Sequence, residues 1–152
     1  MDRNRKWTIA LLAALLLVTC CAAAIHLTGR TAAADGVLLV EYPGGSTEIG
    51  LASLAAAAVQ VQGQVVDGRS EVRKISSPGI PLSRLLSDAG ISVQTEVTVI
   101  ADDEYSAVVT AEELREPDRI FLLLTEGRPQ LLVFGDPNSK RNVSGVVRVV
   151  VS

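Results

Sequence analysis

Several short stretches of the chain show the hydrophobic patterns of β-strands. Residues 59–62 alternate apolar and polar side chains, and Val65 and Val66 extend this pattern of a half-buried strand. Residues 120–124 are apolar throughout, which is typical of a strand buried on both faces. Turn-forming pairs such as Asp67-Gly68 separate the stretches. The pattern predicts strands at residues 37–42, 47–49, 59–66, 70–75, 97–101, 105–110, 120–124, 130–134 and 143–151, with 70–75 at a sheet edge.

The segment from residue 82 to residue 89 has the pattern of an amphipathic helix. Its apolar side chains recur at i, i+3, i+4 and i+7, so they share one helix face. Pro81 suits the start of this helix, and Gly90 suits its left-handed end. Residues 77–81 contain two prolines and interrupt the preceding strand pattern. The residues on the predicted apolar face are Leu82, Leu85, Leu86 and Ala89.

Two further segments predict short helices, and together with the strands they define the fold class. Residues 51–58 are rich in Leu and Ala, which favour helix. Thr110 and Glu113 have the spacing of a capping box, so another short helix is predicted to begin at Ala111. We therefore predict an α+β domain with a mostly β, mixed-sheet core and two or three short helices.

The N-terminal segment has the pattern of a secretion signal or a membrane anchor. Arg3, Arg5 and Lys6 precede an apolar run at residues 7–27. Such positive charges stay in the cytoplasm, so the rest of the chain is expected outside it. Residues 32–34 form an A-x-A cleavage site, whereas the length of the apolar run also suits a membrane span. We predict that residues 1–34 are a signal peptide or N-terminal membrane anchor, and that residues 35–152 form one secreted or membrane-anchored extracytoplasmic domain.

The composition restricts the chemistry of this domain. The whole chain has a formal net charge of −3; without residues 1–34, ten basic and sixteen acidic side chains remain, a net charge of −6. An acidic domain is poorly suited to bind nucleic-acid phosphates. The only histidine, His26, and both cysteines, Cys20 and Cys21, lie in the N-terminal apolar run. The domain therefore lacks the residues for a Ser-His-Asp or Cys-His site, a zinc site with nitrogen or sulfur ligands, or a disulfide. We predict no catalytic and no metal-binding residues in it.

Several segments carry motifs that occur in the same order in a known family. Residues 79–91 match G-v-P-L-x-x-L-L-x-x-A-G-v, and residues 97–106 match v-x-v-x-a-x-D-G-Y-s. On these motifs the chain resembles the oxidoreductase molybdopterin-binding domain of sulfite-oxidase-type enzymes. The other resembling segments are the short helices at residues 51–54 and 112–114, the l-a-x-x-x-n-G-x-P-L segment at 123–129, the G-G-P turn at 135–137 and the closing strand at 145–149.

The resemblance implies the family's fold but not its metal chemistry. In the family a cysteine thiolate binds molybdenum, and the domain has no cysteine. Glu104 stands where the family has the glycine of its D-G-Y turn, and Asp136 replaces the second glycine of the G-G-P turn. Asn138 stands where an arginine usually follows that turn, and much of the pterin-embracing first half of the family's domain is missing. The expectation is a sulfite-oxidase-type fold with no cofactor, although the organic molybdopterin could still bind by family resemblance.

Tyr105, Asp136, Lys140 and Arg141 are the residues that we single out as a candidate ligand groove. Tyr105 follows the acidic turn of residues 102–104, and its ring could stack on a ligand. Lys140 and Arg141 share the polar loop of residues 135–142 with Asp136, where a guanidinium fork could hold a phosphate or a carboxylate. The same residues also suit a packed tyrosine ring and ordinary surface loops.

Three functions are compatible with these features. The first is a non-catalytic binding or accessory domain that holds a small ligand or an extracytoplasmic protein partner between the loops 102–106 and 135–142. The second is a molybdopterin-binding oxidoreductase component that binds the organic pterin without a thiolate metal ligand. The third is a structural or assembly role at the membrane, reached through the N-terminal segment if that segment is not cleaved. None of the three involves nucleic acid.

Overall fold

The computed structural model describes residues 36–152, and these residues build two β-sheets and three short helical segments. The predicted α+β class with a mostly β core is confirmed. In chain order the elements are β1 (Val37–Tyr42), β2 (Gly45–Gly50), α1 (Leu51–Ala57), β3 (Val59–Val66), β4 (Val72–Pro81), α2 (Leu82–Asp88), β5 (Glu96–Ala101), β6 (Ser106–Thr110), a 3-10 helix (Glu113–Arg115), β7 (Ile120–Thr125), β8 (Arg128–Val133), β9 (Val143–Ser144) and β10 (Val146–Val151).

The two sheets each contain five strands. The first sheet has the order β2-β1-β10-β5-β6, and its strands are antiparallel except for the parallel pair β1 and β10. The second sheet has the order β3-β4-β7-β8-β9 and is antiparallel throughout. The first sheet is therefore mixed, as the sequence predicts.

The strand β7 is buried on both faces, which confirms the prediction from its continuous apolar run. Ile120 and Leu122 belong to the main core, which they share with residues of both sheets. Phe121 and Leu123 face the other way and belong to a second, smaller core. In the neighbouring strand β8, Leu131 and Val133 belong to the main core and Leu132 belongs to the second core. The second core consists of Val61, Val65, Phe121, Leu123, Leu132 and Phe134, with Ile75 packed against it.

The second core exists because the second sheet curls. Strand β3 is separated from β7 by β4 in the sheet, yet Val61 and Val65 of β3 pack with side chains of β7 and β8. The Nδ2 of Asn142 donates a hydrogen bond of 3.3 Å to the carbonyl of Val66, which ties the end of β3 to the loop after β8. The hairpin of β3 and β4 therefore covers the face of β7 and β8 that points away from the main core.

The helix α2 ends in a Schellman motif. The N–H of Gly90 donates to the carbonyl of Ser87, and the N–H of Ile91 donates to the carbonyl of Leu86, both at 2.9 Å. Gly90 has a φ of 72°, the left-handed conformation predicted for it. The predicted apolar face is confirmed at Leu82, Leu85 and Leu86, which are buried, whereas Ala89 is exposed because the helix already ends at Asp88.

The structure corrects the prediction for residues 70–81. The strand β4 does not stop before Pro78 but continues to Pro81, where its last three residues pair with β7. Proline is compatible with extended backbone. At Pro78, β4 is paired only with β3, because its pairing with β7 begins at Gly79. In the strand order β4 lies between β3 and β7, but its residues 72–78 pair with β3 alone, so the part of the predicted segment that lies in β4 is paired on one side only.

Two further predictions are corrected near the end of the chain. The predicted strand at residues 143–151 is divided at Gly145, whose φ is 70°, so that β9 belongs to the second sheet and β10 to the first. The helix predicted from Ala111 is a single 3-10 turn at Glu113–Arg115. Its capping box is present: Thr110 N–H donates to Oε2 of Glu113 at 3.0 Å, and Glu113 N–H donates to Oγ1 of Thr110 at 3.2 Å.

The described residues begin after the predicted N-terminal segment. The signal peptide or anchor predicted at residues 1–34, and the membrane span predicted at residues 7–27, lie outside them. Among residues 36–152, no helix has the length and hydropathy needed to cross a membrane. The predicted boundary at residue 35 and the extracytoplasmic location stay predictions.

Candidate functional site

The two loops that carry the predicted groove meet in the structure. Tyr105 lies between β5 and β6, and Lys140 lies in the loop between β8 and β9. The hydroxyl of Tyr105 donates a hydrogen bond of 2.6 Å to the backbone carbonyl of Lys140. The N–H of Lys140 donates to Oδ1 of Asn138 at 3.0 Å, which shapes the loop around it. The side chain of Tyr105 therefore holds the backbone of Lys140 in place.

The turn before Tyr105 is held by its own backbone and by Asp103. The N–H of Ala101 donates to the carbonyl of Tyr105 at 2.8 Å, and the N–H of Tyr105 donates to Oδ1 of Asp103 at 3.0 Å. Glu104 has a φ of 68°, in the left-handed region that favours glycine. Tyr105 itself remains 48 % exposed, so part of its surface is open to solvent.

Arg141 is held between two carboxylates. Its Nε and Nη2 donate to Oδ2 and Oδ1 of Asp136 at 2.7 and 2.6 Å, and its Nη1 donates to Oε1 of Glu113 at 2.7 Å. Nearby, Nη1 of Arg119 donates to Oε2 of Glu116 at 2.6 Å. The Nη2 of Arg119 lies 3.5 Å from Oε1 of Glu113 and 3.5 Å from Oδ1 of Asp136. We call Glu113, Glu116, Arg119, Asp136 and Arg141 the charge cluster.

Burial and hydrogen bonding together set the ionisation of this cluster. The side chain of Asp136 is only 7 % exposed. The hydrogen bond to Asp136 raises the pKa of Arg141 above its ordinary value, although burial opposes this. Burial would raise the pKa of Glu113, but hydrogen bonds from the Thr110 backbone and from Arg141 outweigh it, so this pKa lies below its ordinary value. Glu113 and Arg141 are therefore both charged at neutral pH.

The charge cluster limits what Arg141 can bind. The bidentate contact with Asp136 uses the side of the guanidinium fork that would otherwise hold a phosphate or a carboxylate. The cluster contains three carboxylates and two guanidinium groups, so an incoming anion would have to displace one of the carboxylates. Lys140 is exposed and is the basic side chain of the loop that faces solvent. The ligand-binding role of these residues stays a prediction.

Glu113 and Arg119 belong to the charge cluster but are not among the predicted site residues. The sequence signals a local role for Glu113, through its capping-box spacing to Thr110. It carries no signal for the contact between Glu113 and Arg141, which are 28 residues apart. For Arg119, the only signal is the i, i+3 spacing to Glu116.

The donor groups of residues 36–152 do not fit the metal centre that the resemblance implies. That centre needs a thiolate ligand, and these residues contain neither cysteine nor histidine. Within the same range, no group of three or more acidic, cysteine or histidine side chains is placed to hold a metal ion. In the acidic turn at residues 102–104, Oδ1 of Asp103 accepts the backbone N–H of Tyr105.

A comparison of the chain with protein-family models and with curated proteins finds no match. The function is therefore inferred from the residues and contacts described above.

Proposed function

We propose that residues 35–152 form an exported, non-catalytic binding or accessory domain with the fold of the molybdopterin-binding domain of sulfite-oxidase-type enzymes. The observation that carries this proposal is the backbone conformation at the glycine positions of the resembling motifs. Gly90, Gly127 and Gly135 all have positive φ, and so does Glu104. Glutamate rarely adopts a φ of 68°, whereas glycine adopts it readily, and this supports the alignment of Glu104 with the glycine of the family's D-G-Y turn.

The order of the resembling segments along the chain also supports this fold. The segment around α2 is followed by the hairpin of β5 and β6, then by the hairpin of β7 and β8, and finally by β10. These elements contribute to both sheets and share the main core. The resembling segments are therefore elements of one core and not separate surface loops.

The binding surface of the proposed domain is the one where Tyr105 meets the loop of residues 135–142. The hydrogen bond from Tyr105 to Lys140 and the bidentate pair of Asp136 and Arg141 hold both loops in one arrangement. A preformed surface loses less conformational entropy when a ligand or a protein partner binds. This arrangement supports a binding role because Tyr105 and Lys140 are exposed on loops that are already fixed.

The decisive experiment separates the binding domain from a molybdenum-containing component. The full chain is expressed in cells that make molybdenum cofactor, purified, and assayed for molybdenum by mass spectrometry and for pterin by fluorescence. We expect no stoichiometric molybdenum, because a thiolate ligand needs a cysteine and both cysteines of the chain, Cys20 and Cys21, lie in the N-terminal segment outside the domain. A sulfite-oxidase-type enzyme purified from the same cells is the positive control. Stoichiometric molybdenum, or pterin that is lost in the Lys140→Gln variant, would favour the molybdopterin-binding alternative.

The location outside the cytoplasm has its own test. A reporter that is active only in the cytoplasm is fused after Ser152, in the full chain and in a variant without residues 1–34. We expect an inactive reporter on the full chain and an active one on the truncated chain, because the basic residues before the apolar run keep the N-terminus inside. A strong signal from the full-length fusion would refute export.

A further inference from the structure

The strand β6 lies at one edge of the first sheet. Among residues 36–152 it pairs with β5 on one side, and no strand pairs with its other side. The N–H of Ala101 in β5 donates to the carbonyl of Tyr105 at 2.8 Å. In an antiparallel ladder the backbone groups of successive residues point to opposite sides of the strand. The N–H and C=O groups of Ser106 and Val108 therefore point away from β5.

The far end of β6 shows the same alternation and is closed by the 3-10 helix. The N–H of Ala111 donates to the carbonyl of Thr95 at 2.9 Å, on the β5 side. The N–H of Thr110 points outward and donates to Oε2 of Glu113 at 3.0 Å. The backbone at residues 106–108 stays open, and we call this part of the strand the β6 edge.

The β6 edge lacks the features that protect most exposed strands. Native sheets guard their edges with charged side chains, prolines, bulges or very short strands, and β6 contains no charged residue, proline or glycine. The other edge strands differ from it. The strand β2 contains Glu48 and begins and ends with glycine, and β9 has only two residues. At the end of β3, the carbonyls of Gln64 and Val66 already accept hydrogen bonds from the loop after β8.

A row of β-branched side chains on the outer face of the first sheet ends at Val108. Cross-strand pairing places Val150 opposite Thr98, and Thr98 opposite Val108. Val150 and Thr98 are half-buried, whereas Val108 at the end of the row is 43 % exposed. Side chains directly opposite each other in neighbouring strands stabilise their pairing. An added strand would therefore continue this row with an apolar, β-branched residue beside Val108.

Both ends of the β6 edge are acidic. The three exposed carboxylates of residues 102–104 precede the strand and outnumber the exposed Lys140 of the neighbouring loop, and the exposed Glu112 follows the strand. Antiparallel pairing with a second copy, centred on Val108, would bring Glu104 of one copy near Glu112 of the other. Like charges placed opposite each other destabilise strand pairing. The edge is therefore suited to a basic segment and not to a second copy of itself.

We propose that the β6 edge binds an extended, basic segment of another protein, which joins the first sheet as an additional antiparallel strand. The backbone of the segment pairs with Ser106 and Val108, and a β-branched side chain lies beside Val108. Basic residues lie four positions away on each side, because Glu104 and Glu112 are each four residues from Val108. This edge follows Tyr105 in the chain, but the pairing does not depend on the function proposed for the Tyr105 surface.

The fluorescein-labelled peptide KTSTVTSTK tests the proposal, because it combines a central valine with a lysine at each end. Its binding to the full chain is measured by fluorescence anisotropy, and we expect saturation at up to about 0.3 mM protein. Two matched controls separate the contributions. ETSTVTSTE reverses the charge, and KTSTVTSTK with N-methyl groups on the central valine and two positions to either side cannot donate its backbone N–H groups to the edge. Each control should bind at least about tenfold more weakly.

Amide hydrogen exchange locates the bound peptide. With KTSTVTSTK bound, the N–H groups of Ser106 and Val108 should exchange at least about tenfold more slowly. The N–H groups of Ala107 and Val109 face β5 and are the reference within the same strand, so their exchange should change less.

Val108→Lys tests the edge from the side of the protein. The added lysine interrupts the row of β-branched side chains and repels the basic peptide, so binding should weaken at least about tenfold. Val72→Lys adds the same charge at a strand position that is 66 % exposed, and it should leave binding unchanged. Circular dichroism verifies that both variants are folded. Equal binding of the three peptides, full binding by Val108→Lys, no protection at Ser106 and Val108, or no binding at up to about 0.3 mM protein would each overturn the proposal.

Discussion

Arg141 joins parts of the chain that are distant in sequence. It contacts Asp136, five residues earlier, and Glu113, 28 residues earlier. The contact with Asp136 is bidentate and the carboxylate is nearly buried, so removing the guanidinium would leave only Nη2 of Arg119, 3.5 Å from Oδ1, as a charged partner of Asp136. Arg141 therefore has a structural role in fixing the loop of residues 135–142 to the 3-10 helix, whatever that loop binds.

Replacing Arg141 tests this structural role. Arg141→Gln should lower the free energy of unfolding by on the order of 3 kcal/mol, because the nearly buried Asp136 loses both of its charged hydrogen bonds from Arg141. Arg148→Gln is the control, since Arg148 lies 4.0 Å from Glu41 and both side chains are well exposed. It should cost less than about 1 kcal/mol. Urea unfolding measures both, and equal losses would contradict the structural role of Arg141.

The ionisation of Glu113 predicts a dependence of stability on pH. Its pKa lies below the ordinary value of 4.5 in the folded domain, so the folded state binds the proton less readily than the unfolded state. The stabilisation that ionised Glu113 provides is therefore complete above pH 4.5, and it is lost as the pH falls through the pKa of Glu113 in the folded domain. We expect the stability difference between the wild type and Glu113→Gln to be constant near neutral pH and to shrink on acidification below that value. Urea unfolding across this range measures it, and a difference that stays constant would refute the assignment.

The predicted site residues show how far sequence reasoning reaches at this scale. The predicted groove requires the loops 102–106 and 135–142 to meet, and the hydrogen bond from Tyr105 to Lys140 shows that they do. The partners of Arg141 could not be predicted, because the pairing depends on where Glu113 and Asp136 are placed by elements far apart in sequence. Local spacing identifies a capping box, but it carries no information about such contacts.

At the scale of secondary structure, the elements with local signals are those that the sequence predicts well. The Schellman end of α2 follows from Gly90, and the double burial of β7 follows from its apolar run. The errors lie where tertiary pairing overrides a local signal. Pro78 fits within β4 because β4 is paired on one side only at that position. The chain passes from the second sheet to the first at Gly145, which divides β9 from β10.

The buried face of α2 allows a direct test of its packing. Leu85 is 2 % exposed and lies in the main core, so Leu85→Ala should lower the free energy of unfolding by about 2–5 kcal/mol. Ser83→Ala, on the exposed side of the same helix, is the matched control and should change it by less than about 0.5 kcal/mol. Thermal or urea unfolding measures both variants. A loss at Leu85 no larger than that at Ser83 would mean that the face is wrongly assigned.

At the scale of the whole molecule, the curl of the second sheet depends on the close approach of β3 to Phe134. A Cβ atom added at Gly63 would lie 2.5 Å from ring carbons of Phe134, which is too close for both to keep their positions. Gly63→Ala should therefore lower the free energy of unfolding by about 1–3 kcal/mol through overpacking.

Combining Gly63→Ala with Phe134→Leu distinguishes this steric cause from a general effect of alanine in a strand. In the Phe134→Leu background, the same Gly63→Ala change should cost clearly less, because the smaller side chain leaves room for the methyl group. Gly68→Ala, where an added Cβ meets nothing within 4 Å, is the control for the loss of backbone freedom. Identical costs of Gly63→Ala in both backgrounds would show that Phe134 is not the obstacle.

The position of β10 has a consequence for when the domain can fold. It is the last of the ten described strands along the chain, yet it lies in the middle of the first sheet, between β1 and β5. Until β10 arrives, the hairpin of β1 and β2 and the hairpin of β5 and β6 lack their shared neighbour. Under the proposed export, in which residue 35 would cross the membrane before residue 152, most of the domain would cross before its central strand can pair. Strand order would then delay closure of the first sheet until the end of the chain has crossed, because β10 pairs with β1 and β5 through contacts that are distant in sequence and therefore slow to form.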